Sequence, residues 1–583
     1  ATAWASSGSL IGINATISEA VDHSEVRALV ATNSNLNISG SLTLSAINTG
    51  KQTAKAQNQV AIGLILAVGG STAKAISDTV TEALFGDTVK AKGDGIVKIS
   101  DFASDNNIAE ASAGGGGTIS GSSTRSETVS KGTTTAGLGT GNNIEVFSIG
   151  ISVTHVATGN TGLNSLTIGV ISGNGVYANN TVDSIAVAKI GDGTTVTAKL
   201  ITMTAYNRTD LSDKQSGTTG GIISGAGAYS DAEIKLITRV DIGTAVNLLT
   251  NNYDKSSLQL LLAAINMVNA ENTVTFTTGG ALAGVRSTNT ISAKPLLAEV
   301  LIGAGSRLIS NGIMDIFARG SGKLNGSSDL ETFGAGTVMS GGTLVEVYPD
   351  NRIIILGGGT TLQAQNDLTL ATGRSSDSSL VNVADNYYAH ARLDGFSGSA
   401  FPIDGTSAEA YVIQSNLIQI DSGATIRSGN QLNLYAESND LVDLLAKAKV
   451  VSWISKAADG LSKLFSGNST ELFTGESLAE AHAKIIMNGT AETGFNRDQQ
   501  IKFDNLKIKV HVTFDITKNI YTIDMEQTSY SVGTPINIGD IDYVLGFSTV
   551  NSPLIDALHE AQKMLADFGD TNATLNAFYT NEI

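Results

Sequence analysis

Apolar residues along this chain recur in steps of two, interrupted by one wider step. In LNISGSLTLSA (36–46), LISNGIMDIFA (308–318), LQAQNDLTLAT (362–372) and IRSGNQLNLYA (426–436), apolar or small residues stand at offsets 0, 2, 6, 8 and 10. Each match has a further apolar residue six positions upstream, at Val30, Ile302, Leu356 and Ile420. VTAKLITMTA (196–205) is the same pattern shortened by one, with Ile190 before it, and GIVKISD (95–101) repeats the second half. Steps of two put side chains on one face of a strand. The wider step crosses Gly, Asn, Asp or Ser, residues that tolerate a tight corner. Each unit therefore reads as strand, corner, strand with one inward face, which only stacking on its neighbours can bury. That is a parallel β-helix. The pattern places Leu36, Leu42, Leu44, Leu308, Met314, Ile316, Leu362, Leu368, Leu370, Ile426, Leu432 and Leu434 inside. With ~22 residues per rung and ~4.8 Å per rung, the solenoid would be on the order of 95 Å long. The unequal intervals between matches read as loops of varying length leaving the corners.

Other patterns modify this picture. STAKAISDTVTEALF (71–85) and SSLQLLLAAINMVNA (256–270) carry helical spacing and predict two excursions from the solenoid. Near Asp440 the composition changes, and DLVDLLAKAKVVSWISKAADGLSKLF (440–465) predicts a longer helix. Residues 501–526 alternate strictly through Ile508, Val510, Val512, Phe514 and Ile516 to Met525, with TKN (517–519) as the turn of an antiparallel hairpin. Ser552, Pro553 and Gly569 bracket a last helix. The predicted fold is thus all-β dominated, a parallel β-helix (solenoid) with helical excursions and a C-terminal α+β segment. Its parts are a β-helix over 1–440, a helical insertion and return to β over 441–500, a hairpin-rich segment over 501–550, and a helical linker over 551–583. The chain reads as a piece of a longer polypeptide.

Composition agrees with a large β core. Of 583 residues 41% are apolar, 64 are Gly and only five are Pro, which would remove ladder donors. There is no Cys, so disulfides, thiolate metal sites and cysteine nucleophiles are excluded. A net charge of −18 argues against nucleic acid or an anionic membrane as partner, and suits a soluble exported surface. It leaves room for calcium on acidic loops, the one cofactor expectation. The longest apolar run, VAIGLILAV (60–68), is far short of the ~20 residues that span a bilayer as a helix.

Signatures of chemistry are few. His23, His155, His390, His482, His511 and His559 are scattered, with no HExxH arrangement. His482 reads as a residue of a helix surface or a small satellite core. GGGGTISG (114–121) lacks the lysine of a phosphate loop and reads as a flexible loop, and GDGTT (191–195) reads as a turn. The best catalytic candidate is YYAHARLDG (387–395): alternation places His390, Arg392 and Asp394 on one strand face, with Tyr387 and Tyr388 beside them. That suits a carbohydrate-cleaving groove, and equally an ordinary solvent face, which is the reading adopted. No catalytic, cofactor-binding or metal residue is therefore assigned.

The strands GSLTLSA and NDLTLAT, the absence of Cys and the closing LIDALHEAQKMLADFGD resemble very large bacterial filamentous adhesins, the leukotoxin-type and haemagglutinin-like repetitive proteins. The resemblance implies a right-handed β-helix, export to the cell surface, and adhesive or fibre-forming work without catalysis. Expected partners are other copies or neighbouring segments of the same protein, and a host or neighbouring cell surface or polysaccharide. Neither nucleic acid nor a membrane span is expected. The alternatives are a structural filament or sheath subunit without a specific ligand, and a β-helix polysaccharide lyase or hydrolase.

Overall fold

The computed structural model describes residues 1–374, 387–452, 471–493, 507–515, 520–529, 543–545 and 573–582. It is a parallel β-solenoid, and among the described residues it contains no helix. Each coil has three parts. A short strand, such as Asn143–Glu145, leads into a long outgoing arm; the chain reverses at an apex and returns along a second arm. Ser148–Ile190 is one such out-and-back run, and Ile96–Leu138 is the run beneath it. Nine short strands, from Asn35–Asn37 to Thr490–Thr493, stack as one parallel sheet. The arms stack as a second, larger one, with Thr2–Asp22 at its edge.

The ladder fixes the repeat. Ser41 stands beside Ile96, Ile96 beside Ser148, and Ser148 beside Leu200. One turn thus consumes more than fifty residues, over twice the number the sequence suggested. The unequal intervals in the repeat pattern are therefore one or more whole turns. Nine coils at ~4.8 Å give only about 40 Å along the axis, while a 20-residue arm at ~3.3 Å per residue reaches about 66 Å. The protein is a thin slab, broad across its strands, and the 95 Å rod predicted from the sequence is corrected accordingly.

The interior is graded along the arms. Beside the short strands lies a core of Ile, Val, Leu and Met, including Leu308, Met314, Ile316, Leu362, Leu368, Leu370, Ile426, Leu432 and Leu434, all fully buried or nearly so. Leu36, Leu42 and Leu44 pack against it from the first coil, partly buried. Each such side chain contributes ~1.5–3 kcal/mol on burial. Farther out the interior is mixed: in the first coils Ala54, Ala56, Ala73, Ala75, Ala109 and Ala111 form the floor of one cluster, while later coils bury Leu211, Phe276, Leu330 and Tyr387.

The apex is built from a glycine column. Gly63, Gly117, Gly169, Gly221, Gly280 and Gly334 occupy equivalent places in successive coils. A Cβ on Gly169 would lie 2.5 Å from the carbonyl oxygen of Gly117, and one on Gly221, Gly280 or Gly334 would come still closer to the glycine below. Here glycine is required by close backbone approach, since none of the six has positive φ. The opposite corner does need positive φ, found at Asn33, Thr88, Gly141, Gly193, Ala245 and Gly305 in consecutive coils. Asp87 and Asp192 side chains accept from Thr140 and Thr244 amides there, at 2.8 and 2.7 Å, tying each corner to the next.

The helical excursions are not observed. Residues 71–85 belong to strand Ser41–Phe85, with Ala73, Ala75, Ser77, Thr79, Thr81, Ala83 and Phe85 buried in strict alternation. Residues 258–270 open strand Leu258–Gly279. Helical spacing in both is local propensity overridden by parallel neighbours on both sides that pair most of each stretch. Asp440–Ser452 likewise lies in strand Leu432–Ser452, paired with Tyr387–Ser399, and the rest of that predicted helix falls outside the described residues. The described parts of 441–500 are strands apart from the corner at Asn488 and Gly489, and His482 sits on strand Glu471–Met487. GGGGTISG is an apex in the ladder, which corrects its reading as a loop; GDGTT is indeed a corner turn. The antiparallel hairpin is present, Lys507–Asp515 against Ile520–Ser529 with Val512 beside Ile523, and Ile508 pairs with Ala491 at the end of the short-strand sheet. The predicted turn at 517–519 and the helix bracketed by Ser552 and Gly569 lie outside the described residues. The helical linker predicted over 551–583 is corrected at its end, where Ala573–Glu582 is a strand paired in parallel with Leu432–Leu441.

Candidate functional site

The sequence candidate lies on strand Tyr387–Ile420. Alternation separates its members as the pleat requires: Tyr387 points inward and is fully buried, while Tyr388, His390, Arg392 and Asp394 share the outer face. Room for the Tyr387 ring comes from Gly320 and Gly322 in the coil below, where any Cβ would collide with it. Outside, the Tyr388 and His390 rings stack at 6.0 Å and Lys323 lies 5.7 Å from the Tyr388 ring centre. Arg392 is held by Asp394 on its own strand. Below Asp394 stands Asp329, whose carboxyl is pushed above its usual range by burial and then by Glu331 and Asp394. The same two-residue Arg–carboxylate pairing recurs at Arg27–Glu25, Arg125–Glu127, Arg208–Asp210 and Arg352–Asp350. Arg392 and Asp394 therefore follow the general habit of these outer faces.

A more distinctive feature lies on the outer face of the return arms. Gly173, Gly225 and Gly227 have open space where a Cβ would stand, so neither packing nor backbone conformation demands glycine there. They floor two adjoining shallow depressions of about 500 Å³ each, one of them bounded by Tyr177 and Tyr229 with Arg286 common to both. The two tyrosine rings are stacked, 4.9 Å apart, and Arg125 caps the pile 4.8 Å from the Tyr177 ring centre. The ladder sets this spacing, because Tyr177 and Tyr229 are register partners in adjacent coils. Comparison with protein-family models, with curated proteins and with solved structures finds no match to this chain. The surface must therefore be read from its own chemistry. Aromatic rings and guanidinium groups beside a bare backbone floor suit a ligand with apolar faces and hydroxyl or acidic edges. One sequence cannot disclose this groove, because its parts are about fifty residues apart in the chain and meet only through the register.

Inside the slab, among the small residues that line much of the arms, runs a buried polar seam. His155 and Asp105, both fully buried, approach to 3.5 Å. Thr134 shares a hydrogen bond with His155 Nδ1 at 2.9 Å, while Ser130 and Thr79 donate to Asp105 at 2.8 and 3.2 Å. Asp213 accepts from Thr161, Gln215 and Ser230. Burial pushes its carboxyl up to about 6, against those three hydrogen bonds. Burial also raises Asp101 to about 7, opposed by the Thr135 amide and reinforced by Glu82. Among the described residues no three His, Asp or Glu side chains converge as metal ligands would.

The seam predicts a pH dependence. A carboxyl with a raised folded pKa binds more protons folded than unfolded, so it contributes stability below the unfolded value of 3.8 that is lost as pH rises through the folded one. For Asp213 the loss corresponds to about 3 kcal/mol, at ~1.36 kcal/mol per pH unit. Denaturant melts should show stability falling between about pH 4 and pH 7, and Asp213→Asn should flatten that slope. A wild-type stability rising through this range would contradict the assignment.

Proposed function

We propose that the chain is an extracellular, surface-presenting segment of a very large bacterial protein, adhesive through its outer faces and without catalysis. The supporting observation is the glycine-floored groove with its Tyr177–Tyr229–Arg125 pile, built on stacked coils that repeat one surface at ladder spacing. Its ligand class is cell-surface polysaccharide. Sugar rings offer C–H faces to the Tyr229 ring, which Tyr177 backs on its other side, and uronic or sialic carboxylates would pair with Arg286. The test is binding of the 583-residue chain to arrayed acidic and neutral polysaccharides. Tyr177→Ala with Tyr229→Ala is expected to weaken retention at least tenfold with an unchanged melting temperature. Equal retention by the variant would remove the groove from the reading.

A second reading is a filament or sheath subunit without a specific ligand, which stacked coils repeating one surface would suit. The remaining alternative is polysaccharide cleavage at His390, Arg392 and Asp394. It is tested by assaying new reducing ends or unsaturated products after prolonged incubation. Turnover abolished by Arg392→Ala would overturn the non-enzymatic reading; we expect none.

A further inference from the structure

The apex edge of the slab has a composition unlike the rest of the surface. No Asp, Glu, Lys or Arg occurs in residues 56–73, 111–124, 146–182, 215–230, 272–285 or 332–345, and each of these stretches contains one apex. Around the turns themselves, IGLILAV (62–68), GGTISG (116–121), LTIGVI (166–171), TTGGII (218–223), GGALAG (279–284) and FGAGTV (333–338) also lack Asn, Gln and His. Charge resumes abruptly beyond the band: Lys55 pairs with Glu110 on one face and Lys74 approaches Glu127 on the other. The edge is not apolar because it is buried. Leu64 is 74% exposed, Ile222 59% and Leu282 57%, with Val170, Ile119 and Phe333 also exposed. Six consecutive coils thus present aliphatic or aromatic side chains to the outside along one line.

From Val170 to Phe333 the backbone at this edge is hydrogen-bonded from coil to coil, while the ladder is interrupted at the apex that carries Leu64. Ile222 N–H donates to Val170 at 2.9 Å, Leu282 to Ile222 at 2.9 Å, Gly221 to Gly279 at 3.0 Å, and Gly280 to Phe333 at 2.9 Å. An edge with paired amides, exposed aliphatics and no charge meets the requirements of the boundary between lipid headgroups and acyl chains. The exclusion of both signs of charge separates this from the other occupants. A contact with a second copy needs charge to be depleted only at its centre, with charge pairs at its rim, whereas here six successive turns carry neither sign of charge along the whole edge. Hydrocarbon penalises Lys and Asp alike. The turns that lack Asn, Gln and His as well as charge extend about three residues down each arm, ~10 Å at 3.3 Å per residue, which matches the ~5–10 Å reach of interfacial insertion, and most of the charge-free stretches run several residues farther.

We infer that the apex edge is a lipid-docking edge, inserting shallowly into a bilayer of zwitterionic lipid while the charged faces and the short-strand edge stay in water. This does not depend on the polysaccharide groove, whose Tyr177 and Tyr229 lie beyond the apex glycines on the return arms, although one of its depressions adjoins the edge at Gly284 and Val338. The test is flotation of the full chain with phosphatidylcholine vesicles. The wild type should float with the vesicles at low and high salt alike. Ile222→Asp with Leu282→Asp should reduce the floating fraction at least tenfold. These side chains are exposed, so the melting temperature should hold. The Tyr177→Ala, Tyr229→Ala groove variant should float normally. In a second measurement, Ile222→Trp should shift its emission to the blue and become quenched by brominated lipid. Failure of the wild type to float, equal flotation of the Asp variant, or a lipid-free oligomer that the Asp variant dissolves would each overturn the inference, the last in favour of a second copy.

Discussion

Gly221→Val is expected to leave almost no folded protein. The side chain would begin at a point where a Cβ already overlaps the Gly169 carbonyl oxygen. The obstacle is backbone, which cannot rotate aside as a flexible side chain can. Relief would require the two coils to separate locally, and the apex hydrogen bonds from Gly221 to Gly279 and from Ile222 to Val170 would be strained or broken. Overpacking alone costs ~1–3 kcal/mol, and buried backbone groups left without partners add ~1–3 kcal/mol each. Since a domain is stable by only ~5–15 kcal/mol, the loss is of the order that abolishes folding. The comparison is Gly227→Val on the outer face, where a Cβ meets open space. That variant should express and melt within about 1 kcal/mol of wild type. Equal behaviour of the two would mean that the apex column is not the constraint described.

Ile316→Asp is expected to be almost as damaging for a different reason. Ile316 is fully buried in the large cluster, beside Leu262 in one neighbouring coil and Leu370 in the other. Aspartate there loses an apolar contact on both sides and introduces a carboxylate with no polar neighbour in the strand register. Uncompensated burial of a polar group costs ~2–7 kcal/mol, more for a charge, and neutralising it by protonation only exchanges one penalty for another. A melt at pH 7 should therefore show a loss of several kcal/mol. Ile309→Asp is the control, because Ile309 faces outward on the short strand Arg307–Ser310. An unchanged melting temperature for Ile316→Asp would refute the inward assignment made from sequence and structure together.

The legible and illegible parts of this protein divide along the arm. Near the short strands the interior is wide enough for Leu, Ile and Met, and there the alternation was strong enough to place Leu308, Met314, Ile316, Leu362 and Leu434 correctly. Beyond them much of the interior is Ala, Ser, Thr, Asn and Gly, with large side chains such as Phe276, Leu330 and Tyr387 set among them in the later coils. Alternation of Ala75 with Ile76, or of Thr79 with Val80, carries no hydrophobic signal, so period two was masked and helical spacing emerged by coincidence. The size of the coil was misjudged for the same reason: its longest part looked like loop and excursion. The hairpin at Lys507–Ser529 was legible because its pairing is local and strictly alternating. At the candidate site, the shared face of His390, Arg392 and Asp394 follows from strand geometry and was foreseen. The groove beside Tyr177 and Tyr229 was not, since its members are brought together only by the stacking register.

The sequence by itself determined the parallel stacked-strand architecture, the inward residues of the wide end, the lack of thiol chemistry and the strongly acidic balance, because each is a local pattern or a count. The charge-free bands were also present in the sequence. They gain meaning only when the coil register aligns six of them along one edge. Tertiary structure alone decided the coil length, the burial of Asp101, Asp105, His155 and Asp213, and the glycine contacts at the apex. In a solenoid each residue's neighbours are one full turn away, so its environment depends on a register that no short window of sequence contains.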